Sequence, residues 1–148
     1  MARLTSSQFM RALPDATRPL LPPDLRKFKN LTRSWLCQLY YHAPLLHYEV
    51  WNQGERRGQL EIGLHFESRD PSENERYLRG FERYLTEIKA RLGFQWEAEQ
   101  WTKSWTKVYR VVKYEPFSDA YLDVIAASLA QAMIVLQPIF EEIRAASK

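Results

Sequence analysis

Between residues 45 and 66, apolar and polar side chains alternate with a period of two, and no other feature constrains the chain as much. Leu46, Tyr48 and Val50 share one side of a strand predicted over 45–51. Leu60, Ile62, Leu64 and Phe66 share one side of a second, over 58–66. Side chains of a strand point alternately to opposite faces, so a slip of one residue would invert the whole set. The apolar set must therefore face a core. His47, Glu49, Trp51, Glu61, Gly63, His65 and Glu67 then share the opposite face. The polar stretch 52–57 reads as the hairpin loop. A hairpin centred near Glu55 pairs Glu49 with Glu61 and His47 with Gly63, with His65 diagonally nearby.

Other elements surround this hairpin. A strand over 31–41 carries Trp35, Cys37, Leu39 and Tyr41 in alternation and is broken by His42, Ala43 and Pro44. Two later strands, over 94–99 and 104–115, are joined by a hairpin around 101–103, and Pro116 ends the sheet region. Asp70, Pro71 and Glu73 supply an N-cap, a first-position proline and a capping-box glutamate. They open a helix over 71–92 whose Tyr77, Leu78, Phe81, Leu85, Ile88 and Leu92 fall at helical spacing, with Gly93 as the stop. A last helix starts near Ser118 or Asp119, and Pro138 inside its apolar pattern predicts a kink or break. At the other end, Phe9, Met10 and Leu13 give an amphipathic helix over 1–13 that Pro14 should end. Pro14, Pro19, Pro22 and Pro23 mark an extended connector, with a helical turn at 24–29.

The order α-β-β-β-α-β-β-α predicts one α+β domain over 1–148, a five-stranded antiparallel sheet with helices packed on one face. Residues 1–30 read as a basic, proline-rich arm carrying a short helix. This element order resembles that of the small dimeric chaperones of type III secretion systems. The resemblance is one of topology, without a diagnostic motif, and those chaperones are usually acidic.

Charge is unevenly placed. Residues 1–33 hold seven basic side chains against Asp15 and Asp24, a net +5 within a chain whose total is +3. The single cysteine, Cys37, makes no intramolecular disulfide and no cysteine-based zinc site; on the core side of its strand it reads as a buried small hydrophobe. The most apolar run, 125–136, is shorter than a membrane span, and the first residues lack the apolar centre of a signal peptide. A cytoplasmic protein without membrane contact is expected, and no cofactor.

Three functional readings follow. The leading one is a non-enzymatic protein- or peptide-interaction domain, chaperone- or adaptor-like and possibly homodimeric, because catalytic signatures are missing and the N-terminal helix sits on a tether. The second is nucleic-acid binding through Arg26, Lys27, Lys29 and Arg33 and through Trp101, Lys103, Trp105 and Lys107, where interleaved indoles and ammonium groups suit stacked bases and phosphates. The plainer account of that hairpin is a tip whose tryptophans cap the core. The third is a metal-dependent or acid–base enzyme using His47, Glu49, Glu61 and His65, since imidazoles and carboxylates together hold divalent ions. The plainer account is a solvated sheet face on which Lys107, Lys113, Arg56 and Arg57 neutralise the acids.

Overall fold

The computed structural model describes residues 3–146. Six strands form one antiparallel sheet: β1 (Lys29–Arg33), β2 (Leu36–Tyr40), β3 (Leu46–Asn52), β4 (Gln59–Phe66), β5 (Glu97–Gln100) and β6 (Thr106–Lys113), in the order β1-β2-β3-β4-β6-β5. Four helices, α1 (Ser6–Thr17), α2 (Pro71–Glu82), α3 (Leu85–Leu92) and α4 (Asp119–Ala146), pack on one face. The α+β architecture is the expected one. The sixth strand arises because the stretch expected as a single strand over 31–41 turns back at Ser34 and Trp35.

The alternation of the central hairpin places its apolar side chains as expected. Tyr48, Val50, Leu60, Ile62, Leu64 and Phe66 are buried beneath the helices, with Cys37, Leu39 and Val108 from neighbouring strands. Phe66 stacks on Tyr77 of α2 at 4.9 Å, and the Tyr77 ring stacks in turn on Phe140 of α4. Tyr48 donates its hydroxyl hydrogen to Gln137 Oε1 at 2.8 Å, so its one polar atom is satisfied inside the core.

Four local expectations need correction. Pro14 does not end α1, which continues to Thr17 with Phe9, Met10, Leu13 and Pro14 buried. The supposed tether is thus partly helix packed against α4, followed by short 3₁₀ turns at Arg18–Leu20 and Pro23–Leu25. Pro138 does not interrupt α4. A proline inside a helix costs ~3 kcal/mol, and burial of Ile139 and Phe140 just beyond it offsets that loss. The helix expected over 71–92 is two helices, broken at Arg83 and Tyr84, where the Tyr84 amide bonds back to Phe81. The break turns α3 onto α4, and Tyr84 donates to Glu142 at 2.7 Å.

The last correction concerns register. β3 and β4 pair His47 with His65, Glu49 with Gly63 and Trp51 with Glu61, two residues away from the pairing expected. The loop takes up the difference: the Gly58 amide bonds to the Gly54 and Glu55 carbonyls, and both glycines have positive φ. An even shift preserves which face each residue occupies but changes which side chains meet.

By length and composition α4 is able to cross a bilayer, yet most of its apolar residues, from Ile125 to Phe140, are buried against the sheet and the other helices, as in the core helix of a globular fold.

Candidate metal centre

The face of the sheet away from the helices is not the solvated surface expected. His47, Glu49, Glu61, His65 and Lys107 are all buried, with Glu61 and His65 fully so. The cover comes from aromatic side chains. Asn74 of α2 donates to the carbonyls of Ser68 and Ser104, and Thr102 Oγ1 accepts from the amides of Ser104 and Trp105. These bonds fix the β5–β6 turn so that Trp101 lies against His65 (5.5 Å between centroids), Trp51 (5.9 Å) and Trp105 (5.7 Å).

Beneath the indoles the shifted register sets the two imidazoles opposite each other, 5.7 Å apart and nearly parallel. Each ring has one nitrogen engaged from behind. His47 Nδ1 donates to the Pro44 carbonyl at 2.7 Å. His65 Nε2 donates to Glu61 Oε2 at 2.6 Å, and Glu61 Oε1 is held by Lys107 Nζ at 2.5 Å. These partners orient both rings, and His47 Nε2 and His65 Nδ1 face the same space, where a metal ion would displace any proton they carry.

Two carboxylates close that space. His47 Nε2 lies 3.2 Å from Glu49 Oε1 and 3.8 Å from Glu67 Oε1. His65 Nδ1 lies 3.1 Å from Glu67 Oε2 and 3.9 Å from Glu49 Oε2. One ligand atom from each of the four residues falls within 4.8 Å of the others. Four ligands at the ~2.0–2.1 Å typical of zinc in a tetrahedron stand roughly 3.3 Å from one another, and the observed separations bracket that spacing. The groups behind the ligands match the usual support of metal-bound histidine, a carbonyl on one ring and a carboxylate on the other.

Electrostatics follow from burial and pairing. Burial works against a charged His65, but hydrogen bonds to Glu61 and Glu67 and the charges of Glu49 and Glu61 outweigh it and raise its pKa to about 9. Burial likewise opposes ionisation of Glu49, but the hydrogen bonds from His47 and Gln38 and the charge of His65 bring its pKa below the ordinary value. Two buried groups thus favour their charged forms because each is hydrogen-bonded to and surrounded by groups that stabilise its charge. Cys37 is the reverse case: burial, helped by the charge of Glu49, pushes its thiol up to about 12, which removes it as a nucleophile.

Comparison with protein-family models, curated proteins and solved structures finds no match. None of these comparisons supports the topological resemblance to type III secretion chaperones, and the observed element order differs from the expected one by a sixth strand and a divided helix.

The candidate residues named from sequence divide clearly. His47, Glu49 and His65 converge on one point, while Glu61 sits behind His65. Glu67 was recognised as sharing the face but not as a ligand. It follows the last residue of β4, and its amide bonds to the Leu45 carbonyl, which extends the pairing and turns its side chain to the histidines. The available signal is a His-x-Glu pair at strand spacing on both strands of the hairpin, His47 with Glu49 and His65 with Glu67. Lys107, considered for nucleic acid, is buried in an ion pair and sits 4.7 Å above the Trp101 ring and 4.1 Å above the Tyr109 ring. Lys103, Trp105, Arg26, Lys27, Lys29 and Arg33 are exposed, but Arg26 donates to the Leu21 carbonyl.

Proposed function

We propose that this chain is a metal-dependent protein that holds one divalent transition-metal ion between His47 Nε2, His65 Nδ1 and the carboxylates of Glu49 and Glu67. The observation that carries this reading is the convergence of four ligand atoms whose histidines are already oriented by Pro44 and by the Glu61–Lys107 pair. Two nitrogens and two oxygens suit zinc, iron(II), cobalt(II), nickel(II) or manganese(II) rather than calcium or copper(I). Glu49 and Glu67 also line an open pocket of about 230 Å³. Four protein ligands fill a tetrahedral zinc site, whereas an ion that takes five or six ligands would keep a position on the pocket side where it could polarise a substrate or water. The enzyme reading is favoured for that reason. A reducing cytoplasmic setting agrees with the single buried thiol.

Calorimetric titration of chelator-treated protein with Zn²⁺, Co²⁺, Ni²⁺ and Mn²⁺ tests the proposal. One ion per chain is expected. Glu67→Gln, at the accessible edge, should weaken binding strongly. Glu61→Gln should lower affinity ~10–100-fold without changing stoichiometry. Absence of one-to-one binding for every ion, or affinity indifferent to Glu67→Gln, overturns it.

The interaction-domain reading keeps one supporting observation. Leu31, Trp35, Trp105 and Val111, on or beside the same sheet face, are each more than a third exposed, and grouped apolar side chains are what a partner surface offers. Light scattering and pull-downs test it: a strict monomer that captures nothing removes that support.

A further inference from the structure

The space above the four ligands has walls of its own. Trp35, Trp51, Trp101, Trp105 and Leu36 surround it, and its polar lining is Gln38, Glu49 and Glu67. Four indoles and one leucine make an apolar, flat-sided enclosure. Its volume, about 230 Å³, is roughly one and a half times the ~150 Å³ of an apolar cavity known to take benzene. That fits one six-membered ring with a small substituent.

Two considerations narrow the occupant. A sugar ring of this size needs a partner for each hydroxyl. The Gln38 amide already donates to Glu49 at 2.9 Å, and the two glutamates are metal ligands, so the walls leave a sugar under-satisfied. A cation would gain from the indole faces, but the loaded floor offers it no net charge: Glu49, Glu61 and Glu67 bring three formal negative charges, and Lys107 with a divalent ion brings three positive ones. An oxygen anion meets no repulsion there and gains a bond to the metal.

We infer that the tryptophan pocket binds a single-ring aromatic compound bearing an oxyanion, carboxylate or phenolate, with the ring between indoles and the oxygen on the metal. This rests on the metal centre proposed above and names the class of molecule that reaches it. The exposed indoles Trp35 and Trp105 form the outer wall, 51% and 38% accessible, and supply apolar area that only an aromatic or similarly flat ligand covers well. The four protein ligands leave a five- or six-coordinate ion room for one or two ligand oxygens from the pocket side.

The experiment loads the full chain with Co²⁺ and follows the visible absorption of the bound ion while benzoate is added. Benzoate should shift the cobalt bands saturably, at concentrations at least tenfold below those needed for acetate, and tetramethylammonium should leave them unchanged. Trp105→Ala and Trp35→Ala, both at the exposed rim, should each weaken benzoate severalfold with cobalt stoichiometry intact. A loaded protein whose spectrum ignores benzoate, or answers acetate equally well, overturns the inference and leaves the metal centre standing. A chain that takes up neither cobalt nor any of the other three ions overturns the metal centre and the aromatic ligand with it.

Discussion

Tyr48 and Glu49 are consecutive residues of β3, both are buried, 2% and 6% exposed, and they are buried by different physics. On the side of Tyr48 the sheet meets helices, and the contacts are apolar area and stacked rings, with one hydroxyl satisfied by Gln137. On the side of Glu49 no helix packs among the described residues. Carboxylates, imidazoles and an ammonium group lie under four indoles and are held by one another. The first face is specified by volume and tolerates change in proportion to the space left behind. The second is specified by charge balance. Burial of its ions is acceptable only while each keeps its partner.

Substitutions on each face probe that contrast, and the largest effects come from the largest imbalances. Phe66→Ala should cost about 3–5 kcal/mol by urea denaturation, because Phe66 contacts Tyr77, Phe81 and Phe140 at once. A loss below ~1 kcal/mol would place the core elsewhere. Lys107→Ala should cost a comparable 3–5 kcal/mol by stranding Glu61. Here the faces separate, since the double variant Glu61→Gln with Lys107→Met removes both charges and should regain most of that loss. A double variant as unstable as Lys107→Ala alone would mean that the polar face, too, is a matter of volume.

Gly63 sharpens the comparison at the centre of the sheet. A Cβ there would lie 2.7 Å from Tyr109 Cβ and 2.7 Å from the Val108 carbonyl oxygen, so Gly63→Ala should cost ~1–3 kcal/mol by chemical denaturation. A neutral result would show that β4 and β6 part easily beneath the tryptophans.

The smallest effect lies outside both faces, where His42 Nε2 meets Glu141 at 2.8 Å on partly exposed α4. Burial raises the Glu141 pKa, but hydrogen bonds from His42 and Gln137 outweigh it and bring the pKa below the ordinary 4.5. A group with a depressed folded value stabilises fully above its unfolded value and loses that contribution as pH falls through the folded one. His42→Ala should therefore cost a few tenths to ~1 kcal/mol near neutrality. That difference should fade below pH 4.5 in denaturation midpoints taken at several pH values. A cost that persists in acid would assign it to the stacking of His42 on Phe140 instead.

Much of this molecule was legible in the order of its residues. Alternation through 46–50 and 60–66 determined which side chains face the helices, because strand geometry forces every second residue to one side. Asp70, Pro71 and Gly93 marked a helical region correctly for the same local reason, although Tyr84 divides it. What only the tertiary structure decided was how those local pieces meet. Alternation is unchanged by a shift of two residues, so it could not tell that His47 faces His65 rather than Gly63; the hydrogen bonds of Gly58 in the loop did that. Nor does any stretch of sequence state that Trp101, on a turn more than thirty residues after His65, closes over it. Burial of the acids and histidines, and with it their change from surface charges to a candidate metal centre, depends on contacts between distant segments that no local pattern records.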